Sequence, residues 1–89
     1  MEKYKALKLL AKAFTAEILQ ALNENSLRFV DLKEHCPNDR TRALRLKELR
    51  KTDFIAVIVK EVDDHSYVHY QITDKGRKAL ELIEQLEKL

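Results

Sequence analysis

The spacing of apolar residues changes twice along this chain, from helical to extended and back to helical. Apolar residues near the start recur at helical spacing, which predicts an amphipathic helix over residues 2–13: Leu7, Leu10, Ala11 and Phe14. Residues 54–62 (FIAVIVKEV) and 67–72 (YVHYQI) have a period of two and are rich in β-branched and aromatic residues, which predicts two strands. Residues 73–89 return to helical spacing. A β-hairpin with helices before and after it is therefore predicted.

Capping residues and helix breakers divide the first half of the chain. Thr15 is predicted to cap a second helix over residues 16–23. Residues 27–29 are expected to be short and extended. A third helix is predicted over residues 30–35, and Pro37 ends it because the residue before a proline disfavours helical geometry.

The next helix is predicted to be capped by Asn38 or Asp39 and to run to about Thr52. The four residues between the two strands make the predicted hairpin turn, and Thr73 or Asp74 can cap the last helix. Two helices joined by a tight turn and followed by a hairpin form a winged helix-turn-helix. The predicted fold is therefore mainly α with a β-hairpin wing (α+β), in one domain that covers all 89 residues.

The composition limits the classes of protein to which the chain can belong. No apolar run approaches the roughly 20 residues of a membrane span. The first residues lack the uninterrupted apolar centre of a signal peptide, so an intracellular, cytoplasmic protein is expected. A single cysteine, Cys36, excludes an intrachain disulfide framework and any multi-cysteine zinc site. The abundance of Lys and Glu over Asn and Gln is typical of thermophilic proteins.

Positive charge is concentrated in the helix that follows Pro37. Residues 38–51 contain six basic residues against Asp39 and Glu48, whereas the whole chain has a net charge of only +2. Such a concentration on one element is the electrostatic pattern expected of a nucleic-acid binder. The plainer interpretation is a basic helix that is merely solvated.

The helical repeat of about 100° per residue assigns each side chain of this basic helix to a face. With Leu46 towards the core, Ala43 and Leu49 lie beside it, and Arg42 and Arg50 lie near its margin. The opposite face carries Arg40, Thr41, Leu44, Arg45, Lys47 and Glu48. A leucine among arginines suits the major groove, where an apolar side chain can meet a thymine methyl while arginine binds guanine. The predicted base contacts are Arg40, Thr41, Leu44 and Arg45, and the predicted phosphate contacts are Lys47, Arg28, Arg42 and Lys51.

Three segments, in this order, resemble the winged helix-turn-helix transcription regulators of the HxlR, PadR and MarR groups. Residues 27–37 (LRFVDLKEHCP) resemble the HxlR-type stretch before the tight turn, and residues 46–55 (LKELRKTDFI) resemble the end of the recognition helix. Residues 68–80 (VHYQITDKGRKAL) resemble the passage from the wing to the last helix. The resemblance implies a dimer whose basic helix enters the major groove of double-stranded DNA while the hairpin reaches along the backbone. It also implies close helix packing at Gly76.

The chain departs from the pattern of these groups in three places. Asp53 stands where they usually have glycine, and the turn before the basic helix is about two residues shorter. The wing tip, Asp63-Asp64-His65, is acidic where the groups often have Arg or Lys. Since carboxylates repel phosphates, the tip is not expected to contact DNA closely.

The two terminal helices have more apolar surface than a chain of this length can easily bury. They are predicted to pair with a second copy of the chain through Leu7, Leu10, Phe14, Leu82, Ile83, Leu86 and Leu89. Tyr4, Leu9 and Leu80 are placed beyond the main apolar stripes. The alternative is a monomer that packs both helices onto its own core.

Other candidate chemistry receives little support. Cys36 is a redox-active thiol, a partner in an intersubunit disulfide, or a buried structural residue. Its apolar counterpart in the regulators that the sequence resembles favours the structural interpretation. His65 and His69 share one face of the hairpin but lack the spacing of a zinc site, so no metal is predicted. The sequence has no phosphate loop, nucleophile motif or paired-carboxylate signature, so neither an enzyme nor a cofactor is predicted.

The predicted function is a sequence-specific DNA-binding transcription regulator that acts as a homodimer. An architectural protein that coats duplex DNA through its phosphates is one alternative. A winged-helix module that binds other proteins is a second, which the acidic wing tip favours. The sequence offers no support for a small-molecule effector.

Overall fold

The computed structural model describes residues 3–89, and its elements follow the predicted order. Four α-helices, one 3₁₀ helix and two strands are present in this part of the chain: α1 (Lys5–Ala11), α2 (Thr15–Glu24), a 3₁₀ helix (Val30–Glu34), α3 (Asp39–Lys51), β1 (Ile55–Val62), β2 (His65–Ile72) and α4 (Asp74–Glu87). The prediction of a winged helix-turn-helix is confirmed. None of the described helices has the length and hydropathy needed to cross a membrane.

The N-terminal part differs from the prediction in detail. α1 is shorter than the expected helix over residues 2–13, of which Glu2 lies outside the described residues. Phe14, with a left-handed φ of 71°, precedes α2 and redirects the chain between the two helices. Thr15 was predicted to cap α2 but is instead its first residue, fully buried, and its Oγ1 atom has no hydrogen-bond partner within residues 3–89.

The core forms where α2 packs against α1, α4 and the hairpin. Its centre is supplied by α2 with Ile18, Leu19 and Leu22. α1 buries Leu9, which was predicted to face away, and leaves Leu7 exposed. Leu80 of α4 is also buried, although it lies off the predicted stripe. The direction of the short connection between α1 and α2 selects which side of α1 faces inward.

The wing is a two-stranded antiparallel ribbon with register Ile55↔Ile72 to Val62↔His65. Only Asp63 and Asp64 form its turn, with φ values of 50° and 67°. Positive φ at both central residues is typical of a type I′ turn, in which Asp is tolerated. The turn is therefore two residues shorter than predicted. Leu27 also pairs with Tyr70 through two backbone hydrogen bonds of 3.0 and 2.7 Å, so the short extended segment joins the base of the wing.

The junction of α3 and β1 is a Schellman motif. The Phe54 N–H donates to the Leu49 carbonyl at 3.0 Å, and the Asp53 N–H donates to the Arg50 carbonyl at 3.1 Å. Asp53 has a φ of 62°, the left-handed conformation that glycine adopts most easily. This left-handed conformation explains why the regulators that the sequence resembles usually have glycine at this position.

α4 begins against this junction. The Thr73 Oγ1 accepts a hydrogen bond from the Gly76 N–H at 3.0 Å and donates to the Asp53 carbonyl at 2.6 Å. A Cβ atom on Gly76 would lie 2.0 Å from the Phe54 carbonyl oxygen. Any side chain at residue 76 would therefore separate α4 from the start of β1, which confirms the close packing expected there.

Candidate nucleic-acid interface

α3 begins at a well-formed cap directly after the turn. The Asn38 Oδ1 accepts a hydrogen bond from the Thr41 N–H at 2.9 Å, which identifies Asn38 as the capping residue. The buried side of α3 is formed by Arg42, Leu46 and Leu49. Ala43 was predicted to lie on that side but is exposed. The helix is therefore rotated about its axis relative to the prediction, so that Arg42 faces inward.

Arg42 was predicted to contact phosphate, but its side chain is only 2% exposed. Its Nη1 donates to the Cys36 carbonyl at 2.7 Å, and its Nη2 forms an ion pair with Asp39. The guanidinium carbon lies 4.2 Å from the centre of the Phe29 ring, within the range of a cation–π contact. Arg42 thus joins the turn, α3 and the residue before the 3₁₀ helix, and it is not available to DNA.

Arg45 was predicted to face outward and contact a base, but its side chain reaches the connection between α1 and α2. Its Nε donates to the Ala13 carbonyl at 2.9 Å, and its Nη1 donates to Glu48 at 3.1 Å. The side chain of Arg45 is 14% exposed. Glu48 also binds Lys12, so these contacts connect α3 to the chain between α1 and α2.

The charges around Glu48 favour its ionised form. Burial alone would raise the pKa of this carboxyl group, but the hydrogen bonds and charges of Lys12 and Arg45 outweigh it. The net result is a pKa below the usual value. The Glu48 carboxylate that joins α3 to the α1–α2 connection is therefore ionised at neutral pH.

The exposed side of α3 carries a stripe of four residues at spacings of one helical turn: Arg40, Leu44, Lys47 and Lys51. Leu44 is 50% exposed. Ala43 and Arg50 flank the stripe, and Thr41 is half-buried at its edge. None of its three cations, nor Arg50, forms an ion pair with any residue in the described part of the chain. This surface combines free positive charge with one apolar side chain.

Sequence reasoning placed Arg50 near the core margin and missed its contribution to this surface. At about 100° per residue, residues 42, 46 and 49 lie within about 60° of one another, whereas residues 43, 46 and 49 span about 120°. Hydropathy favoured Ala43 over Arg42 for the buried side, because the Cys36 carbonyl and the Phe29 ring that accommodate Arg42 lie outside α3.

Arg28, the predicted phosphate contact outside α3, lies near the base of the wing. Its Nε and Nη2 atoms both bind the Asp31 carboxylate at 3.1 Å, and its guanidinium lies 5.8 Å from the Tyr67 ring. The hydrogen bonds that Arg28 donates to the Asp31 carboxylate raise the pKa of Arg28, and the same contact lowers the pKa of Asp31. Arg28 is exposed but already paired, so a phosphate would have to compete with Asp31.

Cys36 is fully buried beneath the turn. Burial raises the pKa of its thiol, and the charges of Arg42 and Arg45 offset only part of this effect. A thiol with a raised pKa is a poor nucleophile at neutral pH. These properties fit the interpretation of Cys36 as a structural residue.

An apolar groove of about 800 Å³ lies between α1 and α4. Five of the residues predicted to form a dimer contact line this groove: Leu7, Leu10, Leu82, Ile83 and Leu86. Leu7, Leu82 and Leu86 are each more than half exposed. Phe14 is half-buried against the core and Leu89 is fully exposed, and neither lines the groove.

Comparison with known proteins gives a consistent picture. Residues 9–89 match the sequence profile described as HxlR-like helix-turn-helix. The chain is similar to the reduced form of the transcriptional regulator YodB from B. subtilis, with 26% identity and a TM-score of 0.82 over 93% of this chain and 82% of that one. Its fold is similar to a PadR family transcription regulator from Clostridium difficile R20291, with 15% identity and a TM-score of 0.78 over 86% and 88% of the two chains. It is similar too to a MarR family protein from Porphyromonas gingivalis W83, with 24% identity and a TM-score of 0.75 over 94% and 83%. Comparison with curated proteins gave no match.

Proposed function

Since this chain belongs to the HxlR-like helix-turn-helix family of winged-helix transcription regulators, we propose that it binds specific sequences of double-stranded DNA as a homodimer. The observation that carries this proposal is the exposed face of α3, where Leu44 is accompanied by four cations that form no ion pair with any described residue. In this proposal, α3 enters the major groove and the protein acts in the cytoplasm.

The proposed contacts follow from exposure and from the absence of competing partners within the described chain. Arg40, Thr41 and Leu44 lie in the first half of α3 and are proposed to contact base edges, because the N-terminal residues of a recognition helix reach deepest into the groove. Lys47, Lys51 and Arg50 are proposed to contact phosphates. Arg28 can add a further phosphate contact if it leaves Asp31.

The acidic wing tip limits the proposed interface. Asp63 and Asp64 are exposed at the turn, and Glu61 precedes them on β1. Three carboxylates in four residues oppose close approach to phosphates. The proposal therefore assigns DNA affinity to α3, with the outer part of the wing held away from the backbone.

The proposed dimer is supported by the groove between α1 and α4. Exposed leucines from both helices lie on one side of the molecule, where a second copy could cover them. A twofold arrangement of this kind presents two recognition helices to half-sites about 34 Å apart, one turn of DNA. Self-association is thus expected to contribute to DNA affinity as well as to stability.

The decisive experiment is selection of bound sites from random duplex DNA, repeated over a series of salt concentrations. Recovery of a symmetric motif with two half-sites would support the proposal. Tight binding without a recovered motif, together with a steep salt dependence, would favour an architectural role. Absence of binding at roughly 50–100 mM salt, where phosphate contacts still hold, would favour a protein-binding module.

A further inference from the structure

We infer that α3 reads a thymine methyl through Leu44 and a neighbouring guanine through Arg40, so that each half-site has thymine and guanine within about two base pairs. This inference rests on the proposed function, because it requires α3 to enter the major groove. Beyond the proposed function, it identifies two of the bases that α3 recognises, one of them through the apolar side chain of Leu44.

The side-chain amide of the capping residue and the two carboxylates of α3 each bind another group of the chain. The Asn38 Oδ1 accepts the Thr41 N–H, Asp39 is paired with Arg42, and Glu48 is paired with both Arg45 and Lys12. Side-chain amides and carboxylates are the groups that recognise adenine and cytosine in the major groove. With these groups engaged, the face that remains is suited to other bases.

The exposed face offers hydrogen-bond donors and apolar carbon. Arg40 has no ion pair among the described residues, and a free guanidinium can donate two hydrogen bonds to guanine O6 and N7. Guanine is the base whose major-groove edge presents two adjacent acceptors. Arg40 is therefore matched to guanine more closely than to any other base.

Leu44 is half exposed beside the small residue Ala43, with Arg40 one turn before it and Lys47 nearly one turn after it. When α3 docks, water is removed from this leucine, and the C5-methyl of thymine is the apolar group that the major groove can place against it. Arg40 and Leu44 are four residues apart, about 6 Å along the helix. Successive bases of one strand are about 3.4 Å apart, which sets the limit of about two base pairs between the two contacts.

The test uses the site obtained by selection and replaces each thymine with deoxyuridine, which removes the methyl group and leaves base pairing unchanged. At one position in each half-site we expect the affinity to fall about fourfold, the equivalent of one methyl-sized apolar contact. The variant Leu44→Ala should bind the thymine site more weakly and should not distinguish thymine from uracil at that position. Replacing the neighbouring guanine with 7-deazaguanine should weaken the wild type by about fivefold or more and leave Arg40→Ala unaffected.

Lys47→Ala is the matched control, since it alters a neighbouring residue of the same stripe that is assigned to phosphate. It should weaken binding to both sites equally and keep the preference for thymine over uracil. Urea unfolding of Leu44→Ala checks that this exposed substitution leaves the fold intact. Specific binding that no uracil substitution affects, or a Leu44→Ala protein that keeps the preference, would overturn the inference and leave the proposed function standing. Failure to select any sequence would overturn both.

Discussion

Arg40 and Arg42 are two residues apart but have opposite surroundings. Arg40 is exposed and has no ion pair within the described chain, whereas Arg42 is buried against Phe29 and binds the Cys36 carbonyl. The same side chain therefore has two different roles in one turn of helix. Solvent exposure and available partners, rather than charge, separate the two.

This contrast predicts that alanine substitution of Arg42 mainly lowers stability, whereas alanine substitution of Arg40 mainly lowers DNA affinity. Arg42→Ala should lower the free energy of unfolding by about 2–4 kcal/mol, because it leaves a buried carbonyl without a donor and removes a desolvated cation–π contact. Arg40→Ala should change the free energy of unfolding by less than about 0.5 kcal/mol. Urea unfolding measures both values.

The loss of DNA affinity should be larger for Arg40→Ala than for Arg42→Ala, the reverse of the loss of stability. Under conditions where Arg42→Ala remains folded, Arg40→Ala should lose about 1–3 kcal/mol of binding free energy on a selected site, and Arg42→Ala much less. Fluorescence anisotropy with labelled duplex measures the affinities. An Arg42→Ala protein that is fully stable but defective in DNA binding would contradict the structural role assigned here.

Asp53 is a second residue whose backbone conformation leads to a prediction. Because its φ of 62° is unfavourable for a residue with a Cβ atom, Asp53→Gly should raise the free energy of unfolding by about 1 kcal/mol. Asp53→Ala provides the control: alanine has a Cβ atom but lacks the short polar side chain that helps Asp adopt the left-handed conformation, so this substitution should be destabilising. In urea unfolding, the free energy of unfolding should therefore decrease in the order Asp53→Gly, wild type, Asp53→Ala.

At the scale of elements, α3 is held to the connection between α1 and α2 by ionic contacts. Arg45 binds the Ala13 carbonyl, and Glu48 binds both Arg45 and Lys12. α1 also lines the groove proposed as the dimer contact. The orientation of α3 is thus linked through these contacts to the helix that a second copy would cover.

The lowered pKa of Glu48 makes this link dependent on pH. A carboxyl group whose folded-state pKa is depressed contributes stability above its unfolded-state pKa, and that stability is lost as the pH falls through the folded-state value. Glu48→Gln should therefore lower the free energy of unfolding at pH near 7 by about 0.5–1 kcal/mol. At pH near 3 its difference from the wild type should be smaller, which urea unfolding at both pH values measures.

Glu84→Gln is the control for this prediction, because Glu84 is exposed on α4 and has no ion pair with a described residue. It should leave the free energy of unfolding almost unchanged at both pH values. A Glu48→Gln difference that is the same at both pH values would show that packing of the side chain, rather than its charge, is responsible.

At the scale of the whole molecule, α1 and α4 leave an apolar surface exposed. Leu82 and Leu86 are exposed in the monomer, so charged substitutions there should cost the isolated fold little. Leu82→Lys combined with Leu86→Lys should convert a dimer to a monomer at micromolar concentration, because both copies would bury unpaired lysine charges at the interface. Sedimentation velocity measures the change.

The matched control is Glu84→Lys, which adds a lysine to the same helix at an exposed position that does not line the groove. It should leave the sedimentation coefficient unchanged. A wild-type protein that sediments as a monomer at micromolar concentration would contradict the proposed dimer, and two-half-site DNA recognition would then need another origin.

The sequence by itself determined the features that depend on neighbouring residues. The change of period predicted the hairpin, and Asn38 and Thr73 were among the predicted caps. The close packing at Gly76 was implied instead by the resemblance to known regulators. The exposure of Arg40, Leu44 and Lys47 was also predicted. Periodicity, capping and backbone conformation are local properties, so a single sequence carries them directly.

Only the tertiary structure decided which side of each helix is buried. α1 turns Leu9 inward instead of Leu7, and α3 buries Arg42 and draws Arg45 to the Ala13 carbonyl. A helix that is apolar on more than one side can rotate without changing its pattern. Its neighbours select the orientation, because the two carbonyls and the aromatic ring that contact Arg42 and Arg45 come from segments outside α3.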